Sequence, residues 1–119
     1  MARELITSWA DYQTAIDRLL AIATHHICVY DEDLVTLKLD SRPRLEHIKR
    51  LLNAKHGDIL RMAVRNASPL RHQHPLLQQL LTTYGHLAAA QEPPSQIAHL
   101  RDSMIIVDGK HGLIRFERD

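Results

Sequence analysis

Along this 119-residue chain the apolar positions gather into segments whose spacing alternates between helical and extended. Trp9, Tyr12, Ile16, Leu19, Leu20 and Ala23 recur every three or four residues and predict a helix over residues 8–23. Ser8 is placed to cap it, with Asp11 three positions on at the positive end of the helix dipole. Residues 27–30, Ile-Cys-Val-Tyr, are apolar without alternation, the pattern of a strand covered on both faces. Leu45, Ile48, Leu51 and Leu52 predict a second helix over 43–55, with Asp40 or Ser41 as cap, Pro43 in the first turn and Gly57 just past the end. A second buried strand follows at 59–64. A third helix over 75–84 turns Leu76, Leu77, Leu80, Leu81 and Tyr84 inward, and Gly85 closes it. A short strand is expected at 86–90, before Pro93 and Pro94. At the end, residues 104–107 and 112–116 flank Asp108-Gly109, the strongest hairpin signal in the chain.

Helices alternating with buried strands predict an α/β domain: a mixed, mostly parallel sheet flanked by helices on both faces, with a C-terminal β-hairpin. The length fits a single domain over residues 1–119. No helix follows the last strand to cover it, so a further segment is expected beyond Asp119.

Composition narrows the classes. At 45% hydrophobic and 24% charged residues the chain is neither disordered nor fibrous, and no run reaches the roughly 18 apolar residues of a membrane span. A lone Cys28 forms no internal disulfide, which fits a reducing, cytoplasmic setting. A net charge of +1 gives no strong nucleic-acid signal, and Arg42, Arg44, Lys49 and Arg50 read first as the solvated face of the second helix. Four glycines in all write neither a dinucleotide-binding nor a P-loop motif, so no nucleotide cofactor is expected.

Histidine is abundant, with nine copies, and His72 and His74 lie two apart before the third helix. No further ligands stand at zinc spacing, so both read as a wet loop and no metal site is expected. His25 and His26 would sit at the negative end of the first helix. Cys28, inside the first strand, reads as an inert buried thiol rather than a nucleophile. Asp31, Glu32 and Asp33 fall just past that strand, where open α/β sheets place ligands. They would supply an acid/base pair or, more ordinarily, a solvated turn. Arg65 and Asn66 close the second strand and mark an anion pocket there.

The run from His99 to Gly109, His-Leu-Arg-Asp-Ser-Met-Ile-Ile-Val-Asp-Gly, resembles the motif strand of one half of a phospholipase D-like domain. In that superfamily a His-x-Lys pair precedes apolar residues and an Asp, often followed by Gly. With the register anchored on Asp108 and Gly109 as the motif remnant, Arg101 stands in place of the nucleophilic histidine and Ser103 in place of the phosphate-binding lysine. Arg115-Phe116 or their neighbours replace the glycine-serine that often follows. Arginine stays protonated and has no lone pair to offer, so the resemblance implies a degenerate site. A register shifted by two residues would instead make His99 the nucleophile. The chain is also similar to a bacterial family of uncharacterised domains with the same Asp-Ser-Met signature, found beside GNAT-type acetyltransferases.

Three functions compete. The leading one is a non-catalytic binding or regulatory module for an anionic ligand or protein partner, with Arg101, Arg65 and Ser103 as anion-binding candidates. A phosphodiesterase or nuclease using His99 is the second, and would need a dimer to complete its site. The third is a dimerisation or interaction domain serving itself or an acetyltransferase-type neighbour.

Overall fold

The computed structural model describes residues 5–32, 34–53, 59–66, 72–85, 87–93 and 102–115. The described elements run α1 (Trp9–Ile22), β1 (Ile27–Asp31), α2 (Arg42–Asn53), β2 (Leu60–Val64), α3 (Pro75–Thr83), β3 (Ala88–Gln91), β4 (Ser103–Val107) and β5 (His111–Arg115). The strands form one five-stranded sheet in the order β3-β2-β1-β4-β5. β1, β2 and β3 are parallel, and β4 enters antiparallel to β1 and turns back into β5. The mixed sheet and the terminal hairpin are as the sequence pattern leads one to expect, with the parallel pairing confined to the β1–β2–β3 end.

The helices differ from expectation. Both crossovers, β1-α2-β2 and β2-α3-β3, step the same way across the sheet, and right-handed connections then put α2 and α3 on one face. α1 packs beside α2 and against β4 and β5. Ile16, Leu20, Ile48, Leu52 and Leu77 from the helices thus share one core with Ile27, Val29, Met62, Ile105 and Val107 from the sheet. The described helices therefore cover one face, not both. On the other face Cys28, Ala63 and Met104 are half-buried, and Ile106 and Ile114 are exposed. Cys28 is accordingly a half-buried free thiol rather than a core residue.

Two arginines fasten the helical layer. Arg44 is buried, donating from Nε to Asp17 Oδ1 (2.8 Å) and from Nη1 to Gln13 Oε1 (2.7 Å) and the Leu37 carbonyl (2.6 Å). It bolts α1, α2 and the intervening segment together, and it holds the Asp17 carboxyl below the usual carboxylate range through that hydrogen bond. Arg50 donates to the Ala23 and Leu20 carbonyls at the end of α1. It meets the negative end of the helix dipole there, in the role expected of His25 and His26. Two of the four basic residues of the expected solvated patch therefore bind α1. Leu34, Leu37 and Leu39, in a stretch without a sequence assignment, are fully buried.

Candidate functional site

The carboxyl ends of β1, β2 and β3, with the start of β4 and the end of β5, form one edge of the sheet, where open α/β proteins bind ligands. Register decides what meets there. Ser103 pairs with Arg115 across the hairpin, and one position beyond the Tyr30–Met104 pair Ser103 comes alongside Asp31. Alternation turns all three toward the helical layer, the same side as Val29 and Ile105.

They form a buried polar network, in which Arg115 Nε is left without a hydrogen-bond partner. Ser103 Oγ donates to Asp31 Oδ1 in a short hydrogen bond. Arg115 Nη2 donates to Ser103 Oγ at 3.0 Å and lies 3.8 Å from Asp31 Oδ1. The Leu34 backbone N–H donates to Asp31 Oδ2 at 2.7 Å. Asp31 is 1% and Ser103 0% exposed, and the Arg115 side chain 25%. Trp9 stacks on the outside, its ring centre 5.6 Å from Arg115 Cζ. Burial pushes the Tyr12 phenol above its ordinary value, against the opposing pull of Arg115, and its ring meets that of Trp9 edge-on with centres 5.8 Å apart.

Chemically this arrangement is an ion pair with a hydroxyl between its partners. A serine hydroxyl is a weak nucleophile unless an adjacent base takes its proton. The carboxylate that accepts its hydrogen bond is itself paired to a guanidinium. A hydroxyl with no exposed surface also offers a substrate no approach.

Other candidates from the sequence fall as follows. Arg65 closes β2 as expected, but its Cζ lies 5.7 Å above the ring of Tyr30, on the face opposite Ser103. β2 and β4 lie on either side of β1, two strand spacings or about 10 Å apart, and the two side chains leave the sheet on opposite faces. Arg65 and Ser103 therefore do not share a pocket. His99 and Arg101 lie outside the described residues. The acidic triplet divides: Asp31 is buried in the network, Glu32 is exposed, and Asp33 lies outside the described residues. His74, expected on a wet loop, is buried at the start of α3 with neither ring nitrogen hydrogen-bonded, while His72 is exposed. Asp40 caps α3 rather than α2, accepting from the Leu77 N–H at 2.6 Å.

Asp108 and Gly109 sit at the opposite edge, in the β4–β5 turn. Asp108 (φ 56°) and Gly109 (φ 68°) are both left-handed, the signs of a type I′ turn, and Lys110 N–H donates to the Val107 carbonyl. Asp108 Oδ1 accepts from the His25 and His26 N–H groups at 2.7 and 3.0 Å, and Oδ2 accepts from Thr24 N–H at 2.9 Å and its hydroxyl at 3.0 Å. Burial opposes ionisation, yet these donors outweigh it and hold the carboxyl well below the usual range. Asp108 thus binds the hairpin turn to the α1–β1 junction. Arg115 was the contributor that sequence reasoning missed; its place opposite Ser103 was readable from the hairpin register alone.

Among the described residues no group of three or more His, Cys, Asp or Glu gathers as a metal site, and no helix is long and apolar enough to cross a membrane. No family model matches the chain, and neither the curated proteins nor the solved structures contain a match.

Proposed function

We propose that this chain is a non-catalytic binding module, with a sheet edge like that of a phospholipase D-like half in which the reactive groups have been replaced by a self-neutralised network. The observation that carries this reading is the buried Asp31–Ser103–Arg115 cluster: its hydroxyl is fully buried and its two charges face one another. The resemblance puts a phosphate-binding lysine at the position of Ser103, and a serine bound to a carboxylate cannot hold phosphate charge.

The test is hydrolysis of a generic phosphodiester by the purified, folded protein in the presence of a chelator. No turnover is expected, and inorganic phosphate binding that weakens in Arg101→Ala would support the anion reading. Chelator-resistant turnover lost in His99→Ala would overturn the proposal.

Self-association is a second reading, favoured by Ile106 on β4 and Ile114 on the outermost strand β5, which stand exposed on the sheet face opposite the described helices. It predicts a concentration-dependent dimer in sedimentation that Ile114→Lys abolishes. A monomer at high concentration counts against it.

A further inference from the structure

α2 and α3 lie side by side on the sheet without closing against each other, and a groove of about 480 Å³ runs between them. Leu45 and Leu80 form its floor, and Tyr84 closes one end, its hydroxyl donating to Asn53 Oδ1 at 3.0 Å. The two rims differ. The α3 rim carries Leu76, Gln79 and Thr83, with no charge, while the α2 rim carries Arg42 and Lys49 with Glu46 between them.

Two observations mark this groove as a surface with a partner. The first is Leu76: helical spacing turns it inward with Leu77 and Leu80, yet it is 45% exposed on the groove rim. The apolar stripe of α3 is wider than the core of this chain uses. The second is the charge pattern. Of the four basic residues of the second helix, Arg44 and Arg50 are bound to α1. Arg42 and Lys49 are left exposed on the groove rim. They are seven residues apart, two helical turns or about 10.5 Å along one face of α2. Glu46 approaches Lys49 only loosely, at 3.9 Å with both side chains exposed, so that pair yields readily to a stronger anion.

We propose that this groove binds an acidic amphipathic helix of a partner protein. Apolar side chains at its positions i+1, i+4 and i+8 would meet Leu45, Leu76 and Leu80, and carboxylates at i and i+7, on one flank of that stripe, would meet Arg42 and Lys49. The one-sided charge fixes which flank of the partner helix faces α2. This deepens the binding-module reading by naming the partner's chemistry at a surface away from the carboxyl edge.

Two synthetic 16-residue helical peptides test it. Both carry leucines at i+1, i+4 and i+8, one with glutamates at i and i+7 and the other with lysines there. Amide chemical shifts in the intact protein report the site and fluorescence anisotropy the affinity. The glutamate peptide is expected to shift the Leu76, Gln79, Thr83 and Lys49 amides and to bind at least tenfold more tightly than the lysine peptide. Arg42→Glu/Lys49→Glu should reverse that preference, and Leu76→Asp should weaken both peptides at unchanged circular dichroism. Equal binding of the two peptides, an unchanged preference in the double variant, shifts elsewhere, or no binding would each overturn the proposal. Any of these leaves the non-catalytic reading intact, whereas phosphodiester turnover ends that reading without touching the groove.

Discussion

At the residue scale the energetic weight rests on buried charges. Asp31 is neutralised by Arg115 and receives hydrogen bonds from Ser103 and Leu34. Removing one partner of such a pair strands the other in a poorly solvated place, at a cost of about 3–5 kcal/mol. Arg115→Ala is therefore expected to lower the unfolding free energy in urea by the lower part of that range, since its side chain is partly exposed. Ser103→Ala should cost about 1–3 kcal/mol, because Asp31 loses a donor and gains no water. Asp108 adds a pH signature. Its carboxyl is held below its unfolded value by the Thr24, His25 and His26 donors, against burial. Its contribution is full above about pH 4 and is lost as pH falls further, when the unfolded chain takes up the proton first. Asp108→Asn is expected to be less stable than the parent at pH 7, and the gap to narrow below pH 4 in denaturation series. These partnerships were poorly legible in the sequence. Asp31 looked like the first residue of a solvated acidic turn, and nothing local says that Ser103 and Arg115, more than seventy residues away, neutralise and satisfy it.

At the element scale the sequence is far more explicit, because periodicity and turn chemistry are local. Ser8 caps α1 as its position implies, accepting from the Asp11 N–H at 3.1 Å. Asp108-Gly109 writes the hairpin turn, with both residues at positive φ. Gly109→Ala places a Cβ at φ 68°, and although nothing crowds that Cβ, the left-handed backbone costs about 1–2 kcal/mol, readable as a lower thermal midpoint. Element chemistry also fails in places. Ser41 and Asp40 looked equivalent as caps for α2, yet Asp40 serves α3. Long-range capping of that kind depends on the path of the chain between helices, which periodicity does not encode. Arg50 is the counterpart at the end of α1, and Arg50→Ala is expected to lower stability by about 1 kcal/mol through the lost carbonyl partners.

For the whole molecule, fold class was legible and layering was not. Apolar runs such as Ile27–Tyr30 look alike whether the second face is covered by helices or by other side chains, and here Arg65 lies over Tyr30 while the described helices all take the other side. Sheet order sets the distribution of stability. β1 is paired on both sides and lies at the centre, β3 and β5 at the edges. Amides of β1 and β2 are expected to exchange slowest with solvent and those of β3 and β5 faster, in a native-state hydrogen-exchange series.

The central strand also has an unusual history during synthesis. β1 is made before the other described strands, and its antiparallel neighbour β4 begins at Ser103, after α2, α3 and their strands. Until the hairpin emerges and Asp108 grips the α1–β1 junction, Ile-Cys-Val-Tyr presents a bare backbone edge of uncharged, β-favouring residues. A nascent chain with that edge open is a template for a neighbouring nascent chain. Substitutions that slow hairpin docking should therefore raise the aggregated fraction at high expression while leaving the finished fold nearly as stable as before.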